Sequence, residues 1–116
     1  MQNKTKNMFI VQQHKNRPHY RFIEDPAHGW LEVPLADVKR VGAEISAYSY
    51  YDKRTKLCYL EEDCDAFKFL SSAQLIEKDA DGKWQSNFDE TRIYQERTFI
   101  RDLPNIQAAI WEGDAA

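Results

Sequence analysis

The stretch ISAYSYYDKRTKLCYLEEDCDAFKFL, residues 45–70, predicts a β-hairpin that leads into a helix. Residues 45–50 alternate between two faces and are rich in tyrosine, which favours extended backbone. The polar residues 52–56 then fit a connecting loop, and residues 57–60 return as the second strand. We therefore expect this hairpin to form the centre of the sheet.

The return strand carries apolar or aromatic groups on both faces, because Cys58 and Leu60 share one side while Leu57 and Tyr59 share the other. This pattern favours a strand pair that is buried on both sides. In the alternative interpretation, one side packs on a helix and the other displays tyrosines, as many protein-binding surfaces do. The predicted protein-binding surface consists of Tyr48, Tyr50, Tyr59, Glu61 and Glu62.

Four carboxylates occur within residues 61–65, immediately before an apolar helical pattern. Asp63 is predicted to be the N-cap, and Asp65 lies in the first turn, where negative charge meets the positive end of the helix dipole. A divalent cation site is the alternative, since hard cations prefer carboxylate oxygens. The spacing and central glycine of a calcium-binding loop are absent, so we predict no metal site.

The sequence lacks the common enzyme motifs, including a glycine-rich phosphate loop, GxSxG and HExxH. We therefore predict no catalytic residue and no cofactor. A small cysteine/histidine enzyme is an alternative that only geometry can test. Its nucleophile would be Cys58 or Cys64, and its base one of His14, His19 and His28.

The flanking segments supply the remaining elements. Residues 25–29 predict a turn whose Gly29 provides conformational freedom, and Pro34 and Gly42 fit the start and the end of a short helix. Asp79-Ala80-Asp81-Gly82 predicts another turn. Further strands are predicted at residues 8–11, 19–23, 30–33, 74–77, 83–85 and 91–100, and a last helix from Pro104. The sum is an α+β fold with a mostly antiparallel sheet of four to six strands and two or three helices.

The 116 residues are enough for one domain with its own core, spanning residues 1–116, with residues 1–7 and 113–116 expected to be mobile. Two cysteines six positions apart resemble neither a disulfide framework nor a metal pair, which favours a reducing compartment. No apolar run approaches the length of a membrane span. We therefore expect a cytoplasmic protein without a membrane partner.

Charge is distributed unevenly along the chain. Residues 1–23 contain five basic and no acidic residues, whereas the remainder contains 11 basic and 19 acidic residues. A nucleic-acid-binding accessory factor that uses this basic N-terminal region is therefore an alternative. A solvated edge strand, protected by its lysines against sheet-to-sheet association, is the favoured interpretation.

Three motifs, GWLEVPLADVKRVG at 29–42, SAYSYY at 46–51 and YLEEDCD at 59–65, resemble those of small uncharacterised proteins of bacteriophages and other mobile elements. The resemblance covers residues 25–70, and no activity is established for that group. It implies an accessory protein that acts on a host component. We therefore predict a non-catalytic protein-binding protein, such as an inhibitor of a host defence or regulatory protein.

Overall fold

A five-stranded sheet forms the centre of the molecule in the computed structural model, which describes residues 17–106. In chain order the strands are β1 (His19–Glu24), β2 (Gly29–Pro34), β3 (Tyr50–Asp52), β4 (Leu57–Glu61), β5 (Ile76–Lys78), β6 (Trp84–Ser86) and β7 (Asp89–Tyr94). The helical elements are α1 (Leu35–Val41), a π-helical turn (Glu62–Ala66), α2 (Phe67–Ser72) and a 3-10 helix (Phe99–Asp102).

The large sheet has the strand order β3-β4-β2-β1-β7, and β5 and β6 form a separate hairpin. All neighbouring strands are antiparallel except β1 and β7, in which Ile23 lies opposite Ile93 in a parallel pair. This parallel contact was not predicted. The α+β class, the mostly antiparallel sheet and the two α-helices among the described residues confirm the predicted fold class.

Both faces of the large sheet are covered. The first face packs against α1 and α2 through Cys58, Leu60 and Phe69, among other buried residues. The second face is covered by the segment around the 3-10 helix, where Tyr59 contacts Ile100. The predicted division of β4 into two apolar faces is therefore confirmed.

The helix α1 ends as predicted. Gly42 adopts a left-handed conformation with φ of 73°, and its N–H donates to the carbonyl oxygen of Val38. Such a residue closes the last turn without the steric penalty of a Cβ atom. At the other end, Pro34 is the last residue of β2 and flanks the helix, which begins at Leu35 rather than at the predicted proline.

Two predicted strands are largely wrong. In residues 45–50 only Tyr50 is in a strand, because Ser46 and Ser49 bond to Asp65 instead of joining a ladder. In residues 91–100 the strand ends at Tyr94. The turn at residues 79–82 is confirmed as the connection between β5 and β6.

The C-terminal part of the described chain runs beside the edge strand β3. The N–H of Tyr51 donates to the carbonyl of Pro104, and Tyr50 forms a bridge with Asn105. The helix predicted from Pro104 does not include Pro104 or Asn105; Ile106 is helical, and the remainder of the predicted helix lies outside the described residues. The predicted strand at 8–11 and the predicted mobile ends lie outside the described residues. Within residues 17–106, no helix has the length and apolar character needed to cross a membrane.

Candidate functional site

A cleft of about 450 Å³ opens at one end of the second face of the sheet. Its volume is within the range of ligand-binding pockets, about 300–1,000 Å³. Aromatic rings and carboxylates dominate its lining, and we call it the aromatic–acidic cleft. The lining residues are His28, Trp30, Tyr48, Tyr50, Glu61, Asp63, Cys64 and Arg101.

Three adjacent strands form the floor of the cleft. Trp30 on β2 lies directly opposite Glu61 on β4, so the two side chains emerge on the same face. Tyr50 on β3 reaches the same face, with its ring centroid 6.4 Å from that of Trp30 in an edge-to-face arrangement. A floor made of hydrogen-bonded strands holds these groups in fixed relative positions.

The acidic wall is formed by the end of β4 and the π-helical turn. One Glu61 carboxylate oxygen accepts from the Asp63 N–H at 2.9 Å, and the other lies 3.8 Å from His28 Nδ1. Glu61, and not the predicted Asp63, is therefore the N-terminal cap. Desolvation raises the pKa of Glu61 above its ordinary value, and the nearby charge of Asp63 adds to this effect.

Arg101 closes the opposite side of the cleft. Its guanidinium donates to both carboxylate oxygens of Asp25, at 2.7 and 3.0 Å, and lies 5.6 Å from the ring centroid of Trp30. These hydrogen bonds hold the pKa of the buried Asp25 carboxyl well below its usual range. The positive charge of Arg101 is thus balanced within the protein, which leaves the carboxylates of Glu61 and Asp63 to determine the charge of the cleft.

A loop before β3 supplies the outer wall through Tyr48, whose side chain is 70% exposed. The fully buried Asp65 carboxylate anchors this loop, because it accepts from the Ser46 N–H at 3.0 Å and from the hydroxyls of Ser46 and Ser49. Asn105 donates a further hydrogen bond to the carbonyl of Ala47. The sequence interpretation placed Asp65 only in a helical first turn and missed this role.

The structure divides the predicted protein-binding surface. Tyr48, Tyr50 and Glu61 line the aromatic–acidic cleft. Tyr59 is only 2% exposed, and its hydroxyl donates to Glu32 at 2.9 Å, so it belongs to the interior of the second face. Glu62 is exposed on the π-helical turn but does not line the cleft.

Only one of the predicted cysteine and histidine combinations shares a site among the described residues. Cys58 is fully buried, and desolvation raises the pKa of its thiol to about 12, which makes it a poor nucleophile. His19 lies on β1, where its ring bonds to Thr91. Cys64 and His28 both line the cleft. The remaining candidate, His14, lies outside the described residues.

In the described part of the chain there is no cluster of metal-ligating side chains, and both described arginines of the predicted basic region are held by hydrogen bonds. Residues 17–106 contain no group of three His, Cys, Asp or Glu side chains that could hold a metal ion. Arg17 donates to the carbonyls of Ser86 and Phe88, and Arg21 pairs with Glu32 through two hydrogen bonds. The lysines of the basic region precede residue 17 and are not described.

Comparison with known proteins provides no independent identification, since no family model, curated protein or solved structure matches this chain. Function must therefore be inferred from the chemistry of the aromatic–acidic cleft.

Proposed function

We propose that this is a non-catalytic binding protein of phage or mobile-element origin, whose aromatic–acidic cleft receives a basic segment of a host protein. The observation that carries this proposal is the convergence of exposed Tyr48, half-buried Tyr50 and the carboxylates of Glu61 and Asp63 at one cleft. The sequence resemblance supports the proposed origin. Such binding would inhibit a host defence or regulatory protein.

The composition of the cleft is typical of energetically important contact sites. Tryptophan, tyrosine and arginine are enriched where single side chains dominate binding energy. Tyr48 is exposed in this chain and gains most from being covered, whereas Trp30 is almost fully buried and supports the floor. Because hydrogen-bonded strands already order that floor, a partner meets a preorganised surface and loses little affinity to its ordering.

Charge complementarity selects the chemistry of the partner. Glu61 and Asp63 are both acidic, and Arg101 is already paired with Asp25. Exposed Glu62 lies on the same π-helical turn as Asp63 and extends the negative surface. A segment with lysine or arginine residues therefore fits this surface better than an acidic one.

The contacts of Cys64 support binding rather than covalent catalysis. Its thiol lies 3.9 Å from the Ser46 hydroxyl, and among residues 17–106 no hydrogen bond joins it to His28. The histidine instead faces Glu61 at 3.8 Å. A nucleophile and its base normally lie within hydrogen-bond reach of each other. The enzyme alternative retains one supporting observation, which is that both residues line the same cleft.

The test compares the capture of a host protein by the intact chain and by matched variants. We expect Tyr48→Ala to weaken the affinity for a captured and purified partner by about 30-fold, the effect of losing a dominant contact residue. Tyr94→Ala is the control, because Tyr94 is also a highly exposed tyrosine, at 58%, but lies on β7. Surface plasmon resonance gives the dissociation constants.

Combining Tyr48→Ala and Tyr50→Ala with charge reversal at Glu61 and Glu62 should abolish capture while the protein remains folded by circular dichroism. Wild-type affinity in that variant would refute the proposal. Cys64→Ser separates the enzyme alternative, since binding should persist without the thiol. Loss of partner processing in Cys64→Ser, with capture retained, would establish catalysis instead.

A further inference from the structure

The aromatic rings of the cleft are arranged to contact a cation. The ring centroid of Trp30 lies 5.8 Å from that of His28 and 6.4 Å from that of Tyr50, and Tyr48 stands at the rim. The faces of tryptophan and tyrosine rings carry negative potential, which attracts ammonium and guanidinium groups. Because Trp30 is only 2% exposed, the rings that a cation in the cleft can reach are those of Tyr48 and Tyr50, which the buried Trp30 supports from below.

The protein itself shows that guanidinium groups pack on its aromatic rings. Arg101 lies 5.6 Å from the centroid of Trp30, and Arg92 lies 4.4 Å from that of Phe22. In both cases carboxylates neutralise the arginine, with Asp25 bonding Arg101. Because Asp25 neutralises Arg101, a second cation that enters the cleft meets little electrostatic repulsion from this guanidinium.

Two carboxylates are available to such a cation. The Glu61 side chain is only 14% exposed, yet its single ion-pair partner among residues 17–106 is His28 at 3.8 Å. Asp63 makes no ion pair within the same residues. The raised pKa of Glu61 is consistent with a partly desolvated acid that lacks a strong cationic partner.

We propose that the aromatic–acidic cleft binds the cationic side chain of an arginine or lysine from the partner segment, between the aromatic rings and the carboxylates of Glu61 and Asp63. This inference rests on the proposed function and specifies the chemistry of the same site. Arginine is the favoured source, since a planar guanidinium stacks on rings and pairs with carboxylates at the same time.

The test titrates the full chain with N-acetyl-argininamide, N-acetyl-lysinamide and N-acetyl-citrullinamide and follows the signals of Trp30, Tyr48 and Tyr50 by NMR. Citrulline replaces the guanidinium by a neutral group of the same shape. We expect the arginine probe to bind with a dissociation constant on the order of 1 mM, as befits a ligand of this size. The citrulline probe should bind at least about tenfold more weakly, since only the cation meets the carboxylates and the ring faces.

The substitutions Glu61→Gln and Asp63→Asn together should lower the affinity for the arginine probe at least about fivefold. The amide that replaces the Glu61 carboxylate retains a carbonyl oxygen that can accept from the N–H of residue 63, so the cap is preserved. Asp81→Asn, in the exposed turn between β5 and β6, is the control and should leave the affinity unchanged. Stronger binding of the lysine probe would identify lysine as the source.

Equal binding of the arginine and citrulline probes, no change at the cleft residues at about 20 mM probe, or unchanged affinity in Glu61→Gln/Asp63→Asn would overturn the inference. Partner capture separates this failure from failure of the proposed function. If capture still depends on Tyr48, the docking surface stands and the cation site does not. If the probes bind but Tyr48→Ala captures normally, the cation site stands and the docking surface does not.

Discussion

Gly29 shows how the absence of a side chain fixes the position of an aromatic ring on the first face of the sheet. A Cβ atom at this position would lie 2.5 Å from Cζ and 2.7 Å from Cε2 of Phe22, and Arg92 covers that ring at 4.4 Å. Among the described glycines, positive φ angles occur at Gly42 and Gly82. Gly29 is therefore required for space, as the first residue of β2, and not for the conformational freedom that its turn-like neighbours suggested.

We expect Gly29→Ala to lower the free energy of unfolding by about 1–3 kcal/mol, because the added methyl group overpacks the buried ring. Urea denaturation measures this loss. Adding Phe22→Leu should relieve the clash, so the double variant should lose less than the sum of the two single losses. An additive double variant, or an unchanged urea midpoint in Gly29→Ala, would show that the ring moves aside freely.

At the scale of elements, Asp65 connects two parts of the molecule that the hairpin pattern does not relate. Its carboxylate joins the π-helical turn to the loop before β3, which carries Tyr48. A buried carboxylate that accepts three hydrogen bonds makes each of its donors costly to leave unpaired. The outer wall of the cleft therefore depends on a residue that does not line it.

Removing this carboxylate should loosen the loop. We expect Asp65→Ala to lower the free energy of unfolding by about 2–4 kcal/mol, since buried donors lose a charged acceptor. Asp63→Ala on the same turn is the control and should change stability by less than about 0.5 kcal/mol, because Glu61 supplies the cap and Asp63 is exposed. NMR should show a larger change in the Tyr48 signals in the Asp65 variant than in Asp63→Ala, because only Asp65 anchors the loop that carries Tyr48. Equal stability losses in the two variants would contradict this role.

The same bonds explain why part of the fold could be predicted and part could not. The two faces of β4 and the end of α1 at Gly42 were predictable, since periodicity and capping act over a few residues. The strand at residues 45–50 was predicted wrongly, because the hydroxyls of Ser46 and Ser49 bond to an acid 16 or more positions away. No local pattern contains that information.

The residues of the cleft were likewise predictable where they lie close together in the sequence and not where they come from distant segments. Tyr48, Tyr50 and Glu61 belong to the central stretch and were named as binding residues, and His28 was named only as a catalytic base. Trp30 and Arg101 were missed as site residues. The pattern around Trp30 predicts only an ordinary strand, and Arg101 belongs to a segment that is distant in the sequence. The parallel pairing of β1 and β7 likewise joins segments separated by most of the described chain.

At the scale of the whole molecule, Asp25 and Arg101 join segments that are 76 positions apart in the sequence. Asp25 also accepts the N–H groups of Ala27 and His28, so one carboxylate organises the turn between β1 and β2 and anchors the 3-10 helix. That helix carries Ile100 onto the second face of the sheet and Arg101 into the cleft wall. The Asp25–Arg101 pair therefore both holds the 3-10 helix on the sheet and fixes one wall of the cleft.

The pKa of Asp25 is lowered in the folded protein, chiefly by its hydrogen bonds to Arg101, so the pair contributes stability while the carboxyl is ionised. Below about pH 4, the ordinary range for an unfolded aspartate, the unfolded chain binds the proton first and this stability is progressively lost. We expect Asp25→Asn to be less stable than the wild type at pH 7, with the difference in urea midpoint shrinking as the pH falls from 5 to 3. Asp102→Asn is the control, because the Asp102–Arg97 pair is 69% exposed on both sides and should show little such dependence. A difference between Asp25→Asn and wild type that stays constant over this pH range would mean that the Asp25–Arg101 pair does not contribute through its charge.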